Sequence, residues 1–383
     1  MSDINTIQNS TVLVRVAFDL PSLSDTARIK DAIPTIDLLL KNNNKVVLAT
    51  KWGRPKGIDP EFSTQKLIDV IESEILTQIT QTALPSFINS GTAIEFVDQF
   101  KSFEEAKSEI LNSQNQIFLL ENTHFSEDEK SKESVHRLNL AQKYASLADF
   151  FVDEAFPSSH RQEATNSEIK QILPWAFGLS YLSEITNLNK LKIDVEQPFV
   201  VVMAGAKLET KLPLISKMLP KAEKILLGGL LSFTFIQAAK ELGFSDLPDI
   251  YDSYVEVEFL EQAKDLLKSN PDQLILPLDL VYESENGKTY GRDVGDKTLQ
   301  LFENELKKAK TIFWNGTLGF YEKPPFDEST KKLGEFISSL DKAFKALGGG
   351  DTGSSLPQSI LDKIDFVSMG GGATLEYLSQ KNE

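Results

Sequence analysis

The chain has 383 residues, of which 41% are hydrophobic and 25% charged, with a formal net charge of −16 and no cysteine. That length exceeds one ordinary core and suits two domains, the acidic balance argues against the basic surface that non-specific nucleic-acid binding requires, and the missing cysteines exclude disulfides, thiolate chemistry and cysteine-ligated zinc. No apolar run approaches the ~18 residues of a membrane span, and the opening MSDINTIQNS lacks the basic-then-apolar order of a secretory signal, so the expectation is a cytoplasmic protein without membrane or nucleic-acid partners.

In chain order, TVLVRVAF (11–18) reads as a strand, a helix follows from about Thr26 to Lys41, and KVVLAT (45–50) is a second strand before a helix starting near Ser63. AIEFV (93–97), QIFLL (116–120) and DFFVD (149–153) continue the series, with helical patterns between them. LPWAFGLSYLSEITNLNKL (173–191) carries a periodic apolar face and reads as a connecting helix. Beyond it come PFVVVMAG (198–205), KILLG (224–228), QLILP (273–277), TIFW (311–314), AFKALG (343–348) and DFVSM (365–369). Apolar strands without alternation, separated by helices, predict parallel sheets covered on both faces, and two such sets predict two doubly wound α/β domains. In open parallel sheets ligands bind beyond the carboxyl ends of the strands, so the residues just after each strand carry the chemistry.

Three strands of the second half end in glycine. KILLG runs into Gly229, AFKAL into GGGDTG (348–353), and DFVSM into GGGATLE (370–376). Glycine lets the backbone approach a phosphate, and amides at a helix start bind it. Asp351 caps the helix or holds a magnesium ion bridging phosphates; a single GGG is also an ordinary tight turn. AGAKLETK (204–211) spaces Lys207 and Lys211 four residues apart, on one face of a helix, where two cations neutralise a phosphate chain or simply solvate a helix start. It is no Walker A loop, because GK[ST] is absent. In the first half, Arg28, Lys51, Arg54 and Arg161 follow successive strands, with His124 and His160 nearby. Several arginines from separate loops are how a phosphate or carboxylate is gripped.

These segments together resemble the phosphoglycerate kinase family, in order along nearly the whole chain. VRVAFDLP with ARI (14–21, 27–29) is similar to VRVDFNVP…TRI, KWGRPKG (51–57) to SHLGRPKG, ENTHF (121–125) to ENVRF, and DEAFPSSHR (153–161) to NDAFGTAHR. GAKLETK resembles GGAKVxDK, WNGTLGFYE (314–322) resembles WNGPMGVFE, and the two triglycine segments resemble GGGDTA and GGGASLE. The resemblance implies two Rossmann-like domains joined by a hinge helix: residues 1–172 as the acceptor domain, rejoined by 371–383, then 173–192 as the connecting helix and 193–370 as the nucleotide domain. It implies a hinge-closing monomeric kinase that passes phosphoryl between ATP/ADP, with Mg2+, and the carboxyl group of 3-phosphoglycerate.

By the same resemblance Lys207 and Lys211 contact phosphates, Glu322 the ribose, and Asp351 the metal. Gly228, Gly229, Asn315, Gly349, Gly350 and Thr352 complete the nucleotide site, while Arg28 approaches the transferred group. Arg28, Lys207 and Lys211 are the expected catalytic residues. The acceptor site falls on Ala17, Asp19, Arg28, Lys51, Arg54, His124 and Arg161. Here the chain departs from the family pattern: Ala17 stands for aspartate, Asp19 for asparagine, Lys51 for histidine and His124 for arginine. Thr317, Ala204 and Thr210 replace proline, glycine and aspartate, and the LPG-containing tail is missing after EYLSQKNE. The departures leave three readings: a working enzyme with an altered acceptor pocket, a kinase for another carboxylate, or a nucleotide-binding paralogue of weak activity.

Overall fold

A computed structural model of the chain describes residues 1–78 and 93–380. The chain forms two compact units, Met1–Ile185 and Thr186–Glu383.

In the first unit the strands are β1 (Thr11–Arg15), β2 (Lys45–Ala49), β3 (Ile94–Val97), β4 (Ile117–Leu120), β5 (Phe150–Asp153) and β6 (Trp175–Phe177). They make one parallel sheet in the order β3-β4-β2-β1-β5-β6. Helices α1 (Ala27–Lys41), α2 (Ile68–Gln78), α3 (Phe103–Asn112) and α4 (Ser134–Ala145) cover it. Side chains alternate across a strand, and β1 shows the consequence: Val12 and Val14 join the core of Ile33, Ile36 and Leu48, while Leu13 joins that of Val47, Phe118 and Tyr144. A strand buried on both faces reads as a near-continuous apolar run, and the polar Arg15 at the end of β1 is buried only with Glu163 and Thr165 as partners.

The expected helix over 173–192 is shorter than its apolar pattern suggested. Trp175–Phe177 pairs with β5 as an edge strand, and α5 runs Leu179–Lys192. Aromatic residues favour the pleated edge, and the Gly178 position lacks room for a Cβ, which would lie 1.8 Å from Glu154 Oε2. The Glu154 carboxylate accepts from Thr35 Oγ1 at 2.8 Å and from the Ser180 and Tyr181 amides at 3.1 and 3.3 Å, so it satisfies the free N–H groups at the start of α5.

The second unit repeats the plan with β7 (Phe199–Met203), β8 (Lys224–Leu227), β9 (Leu274–Ile275), β12 (Thr311–Asn315), β13 (Phe344–Gly348) and β14 (Phe366–Ser368). Their order is β14-β13-β12-β7-β8-β9. Counted within the sheet this is the Rossmann order 3-2-1-4-5-6, whose direction reverses between β7 and β12. The surrounding helices are α6 (Leu208–Met218), α7 (Leu231–Glu241), α8 (Leu260–Ser269), α9 (Asp296–Leu306), α10 (Glu328–Ser338), α11 (Gly350–Ser354), α12 (Gln358–Leu361) and α13 (Gly372–Ser379). Helix α13 packs on α6 within this unit, and residues 381–383 of the segment expected to rejoin the first half lie outside the described residues.

One element has no counterpart in the expected series. Strands β10 (Leu280–Glu285) and β11 (Lys288–Val294) form an antiparallel hairpin. Asn286 and Gly287 adopt φ of 53° and 76°, the left-handed pair that a two-residue turn demands. No described helix is long and apolar enough to cross a membrane.

Burial pushes the Glu154 carboxyl up to about 8, against its hydrogen bonds from Thr35, Ser180 and Tyr181. A carboxyl whose folded pKa exceeds its unfolded value binds more protons when folded, so its contribution declines as pH rises from about 4.5 towards 8. Glu154→Gln should therefore match the parent near pH 4 and become progressively more stable than it by pH 8.5, in urea unfolding followed by circular dichroism. A pH-independent difference would show that Glu154 does not titrate in this window.

Candidate functional site

In the second unit, three strands end on glycines at or beside the reversal point. Gly205 after β7 has φ 94°, Gly229 after β8 has φ 65°, and Gly316 after β12 has φ 97°. A Cβ at Gly316 would lie 2.0 Å from the Ala204 carbonyl oxygen, and one at Gly229 would lie 2.4 Å from the Gly205 amide nitrogen. Only glycine permits both this backbone approach and these dihedral angles. The turn after β12 is fixed further by the Trp314 indole, which donates to Gly316 O at 2.7 Å.

Those turns open a cleft of about 610 Å³. Of the residues expected at the nucleotide site, Lys207, Lys211, Gly229, Asn315, Glu322, Gly349, Asp351 and Thr352 line it. Gly228 and Gly350 do not. Gly228 is packed against Leu318, whose Cδ2 would lie 2.5 Å from a Cβ there, and Gly350 is an exposed first residue of α11.

Lys211 lies in the first turns of α6 and is buried. Its ammonium donates to the Asn315 side-chain oxygen and, at 3.3 Å, to the Asn315 carbonyl. Burial pushes it down to about 8, while the negative charge of Asp351 favours the cation. Lys207 at the N-terminal cap of α6 is exposed. Gly349, with φ 91°, turns the chain from β13 into α11. Thr352 then ties two of the strand ends together: its hydroxyl accepts from the Gly316 amide at 2.7 Å and donates to Gly348 O at 3.0 Å.

The far end of the cleft is apolar and was not anticipated from the sequence. Phe233 of α7, Leu280 and Gly291 of the hairpin, Val294 and Leu318 line it. Phe233 Cζ and Leu280 Cδ1 would stand 3.0 and 3.1 Å from a Cβ on Gly291, so the bare glycine keeps this end open. The Asn286–Gly287 turn was the available signal, because it marks the hairpin that delivers this wall.

In the first unit, the expected acceptor residues stand on loops after β1, β2, β4 and β5. The Asp19 carboxylate pairs with Lys51 Nζ and accepts from the Gly53 amide at 2.8 Å. Arg28, half-buried at the start of α1, donates to Asp19 O at 2.7 Å. Ala17 is half-buried between these elements' strand and Asp19. Asn122 holds the other two loops in register, since its oxygen accepts from the Trp52 amide at 3.2 Å and the His124 amide at 3.0 Å. Arg54 is exposed and makes no ion pair among the described residues, and the Arg161 guanidinium lies 3.9 Å from Glu163.

Beneath them lies a charged network the sequence reading did not single out. Arg15, 0% exposed, donates to Glu163 at 3.1 Å and to Thr165 at 3.0 Å. Burial alone would raise Glu163, but the His124 ring and the Arg15 charge outweigh it and bring the carboxyl to about 2. His124 Nε2 is 3.4 Å from Glu163, yet among the described residues neither ring nitrogen, nor the Thr123 hydroxyl, has a hydrogen-bond partner. Burial holds His124 below the ordinary histidine range; Glu163 opposes this, while Arg15 and Lys51 add to it. Burial likewise lowers Lys51, with Asp19 opposing and Arg161 and Arg15 reinforcing. An unperturbed histidine at position 124 is therefore not what the fold provides.

A model of the phosphoglycerate kinase family matches residues 1–381. Phosphoglycerate kinase from Finegoldia magna is 33% identical, over 100% of this chain and 96% of its own length. The enzymes of that name from Fervidobacterium nodosum and Mycoplasma genitalium are each 34% identical, covering 98% and 97% of the chain and 94% and 93% of their own lengths. Among solved structures, phosphoglycerate kinase from Coxiella burnetii has a TM-score of 0.79 at 25% identity, over 98% of this chain and 94% of that one. The kinase from Pyrococcus horikoshii has the same TM-score at 26% identity, over 97% and 94%.

Replacing Thr352 by valine keeps its shape but leaves the buried Gly316 amide without an acceptor. An orphaned buried donor costs about 1–3 kcal/mol. Urea titration of Thr352→Val should show a loss of that size, and stability equal to the parent would mean that the hydroxyl does not hold the two strand ends.

Proposed function

The chain belongs to the phosphoglycerate kinase family, and from this we propose that it transfers phosphoryl between ATP or ADP and the carboxyl group of 3-phosphoglycerate, the reaction that links 1,3-bisphosphoglycerate and ADP to 3-phosphoglycerate and ATP in glycolysis. The observation that carries the proposal is the single cleft that gathers Lys211, Asn315, Gly349, Asp351 and Thr352 at the reversal point of a Rossmann sheet. The paralogue without activity is less well supported, because a pure binding module has no need of a buried ammonium whose charge is costly to maintain.

Phosphoryl transfer asks little covalent chemistry of a protein and much positioning and charge neutralisation. The nucleotide phosphates would lie along the glycine turns, with Glu322 at the ribose and Lys207 on the phosphate chain. Lys211 stands rigidly against Asn315, so its charge needs no reorganisation as the transferred group develops charge, which is the condition for electrostatic preorganisation.

Magnesium fits the residues present. No cluster of three or more acidic or histidine ligands exists among the described residues, but Mg2+ is ordinarily held by one or two carboxylates together with substrate phosphates and water. Asp351 is exposed to the cleft and resists no such use, whereas Asp293 is engaged by Ser329 and the Val294 amide. When bound, the ion neutralises charge on the phosphate oxygens. Action as a cytoplasmic monomer is part of the same proposal.

For the acceptor, His124 beside Glu163, with Lys51 and Arg161 close enough to act on these charges, groups polar and cationic side chains of the kind that suit a phosphorylated carboxylic acid. Lys51 is already paired with Asp19, so part of its charge is spent within the protein.

Lys211→Ala tests the nucleotide half. Turnover should fall on the order of 10²-fold, with a much smaller loss of Mg-ADP affinity by calorimetry, because the charge acts mainly on the transition state. Equal losses would reduce Lys211 to an anchor. In the parent, activity should also decline as pH passes through about 8 and the ammonium deprotonates.

His124 tests the acceptor half. With its pKa depressed, the ring is neutral at pH 7 and gains charge only below the usual value near 6.5, so 3-phosphoglycerate affinity should strengthen only at pH values below that. His124→Arg supplies a permanent cation and should lower the Michaelis constant at pH 7.5 and flatten its profile. An unchanged constant and profile would place His124 outside the site.

A further inference from the structure

The apolar end of the cleft contains one cation that phosphate chemistry leaves unused. Arg292 of β11 lines the cleft together with Phe233, Leu280, Val294 and Phe320. Its Nε donates to Glu283 at 2.9 Å, and its guanidinium stacks 4.8 Å from the Tyr290 ring and 5.5 Å from the Phe320 ring. Glu283 is itself gripped by Lys323. The side chain is therefore held between two rings and two carboxylates, with Nη2 3.9 Å from Glu285, and Nη1 has no hydrogen-bond partner among the described residues.

A guanidinium only donates hydrogen bonds. A purine with a 6-oxo group presents O6 and N7, two adjacent acceptors that match the guanidinium fork, whereas adenine presents N7 beside an amino group that also donates. The amino group finds little to compensate it here. Asp293 has its oxygens taken by the Ser329 hydroxyl and amide and by the Val294 amide, and those of Glu283 are taken by Arg292 and Lys323.

Resting on the reading of this cleft as the nucleotide site, we propose that Arg292 determines base specificity and makes guanosine and inosine nucleotides substrates at least as efficient as ATP. Adenine binds the same slot through apolar contact alone; 6-oxopurines add the bidentate pair. A bidentate arginine–purine contact discriminates by about 1–3 kcal/mol, which corresponds to roughly 5- to 150-fold.

The experiment measures kcat/KM for Mg-ATP, Mg-GTP and Mg-ITP with 3-phosphoglycerate, in the full-length parent, Arg292→Leu and Arg292→Lys. The GTP-to-ATP ratio should be at least one in the parent and fall about tenfold or more in Arg292→Leu. Arg292→Lys, which keeps the charge and the Glu283 pair but not the fork, should fall between. ITP should follow GTP, because it shares O6 and N7 and lacks the 2-amino group. A parent that prefers ATP tenfold or more, a ratio unchanged in both variants, or good use of GTP without ITP overturns the assignment while leaving the nucleotide site standing. Absence of turnover and of calorimetric heat with every purine nucleotide overturns both readings at once.

Discussion

The second unit is built around the contact of bare backbone at the ends of β7, β8 and β12. Gly316 lies so close to Ala204 O, and Gly229 so close to the Gly205 amide, that no side chain fits at either position. The three glycines carry φ between 65° and 97°, so a substitution would meet both a steric and a dihedral penalty. Because the strand ends close on one another there, the mouth of the cleft sits over backbone rather than side chains. Lys211 can then be buried against Asn315 while its charge remains within electrostatic reach of Asp351. Removing the close approach would displace the turn that carries Asn315, and with it the partner that keeps the ammonium in place.

Within a chain of net charge −16, the cations of the two units differ in their exposure to water. Lys207, Arg54 and Arg161 are exposed, whereas Lys211, Lys51 and His124 are withdrawn from water. Burial lowers Lys211, Lys51 and His124 alike. A desolvated cation is poorly compensated until an anion arrives, so the ligand supplies what solvent no longer does. Acidic surface residues elsewhere do not cancel that local attraction, because exposed charges are screened over a Debye length of roughly 8–10 Å.

Much of this was legible in the sequence because local rules carry it. Apolar runs marked strands of both sheets to within a few residues, and glycines after β8, β13 and β14 marked strand ends. What escaped notice depends on contacts between segments distant in the chain. Trp175 and Phe177 have the two-residue spacing of a strand, but three residues leading into a longer helical pattern do not stand out until β5 offers an edge to pair with. Asn122 looks like an ordinary loop residue, and only the fold brings Trp52 to it across 70 positions. The apolar wall at Gly291 requires Phe233 and Leu280 from two other elements. His124 stands on the loop after β4, and its lowered pKa arises from burial and from Arg15 and Lys51, none of which the motif ENTHF contains.

The two sheets share a reversal-point plan yet furnish it with opposite materials. Between β7 and β12 the protein supplies glycine turns and an apolar recess, which suits a ligand that brings its own charges and a large flat ring. Between β1 and β5 it supplies side chains: Arg15, Glu163, Glu129 and Thr165 form a buried, hydrogen-bonded set beneath the loops. Burial pushes Glu129 up to about 8 despite the Arg15 charge, so near neutrality this set holds Glu163 as its firmly ionised carboxylate. A small polar acid offers little surface for apolar contact, and its recognition must come from directed charge and hydrogen bonds. Such groups must be held by a second layer or they collapse onto one another, as Lys51 and Asp19 already have. The buried network beneath the first-unit loops is thus the counterpart of the glycine contacts in the second: one fixes side chains in place above it, and the other keeps side chains away from the strand ends.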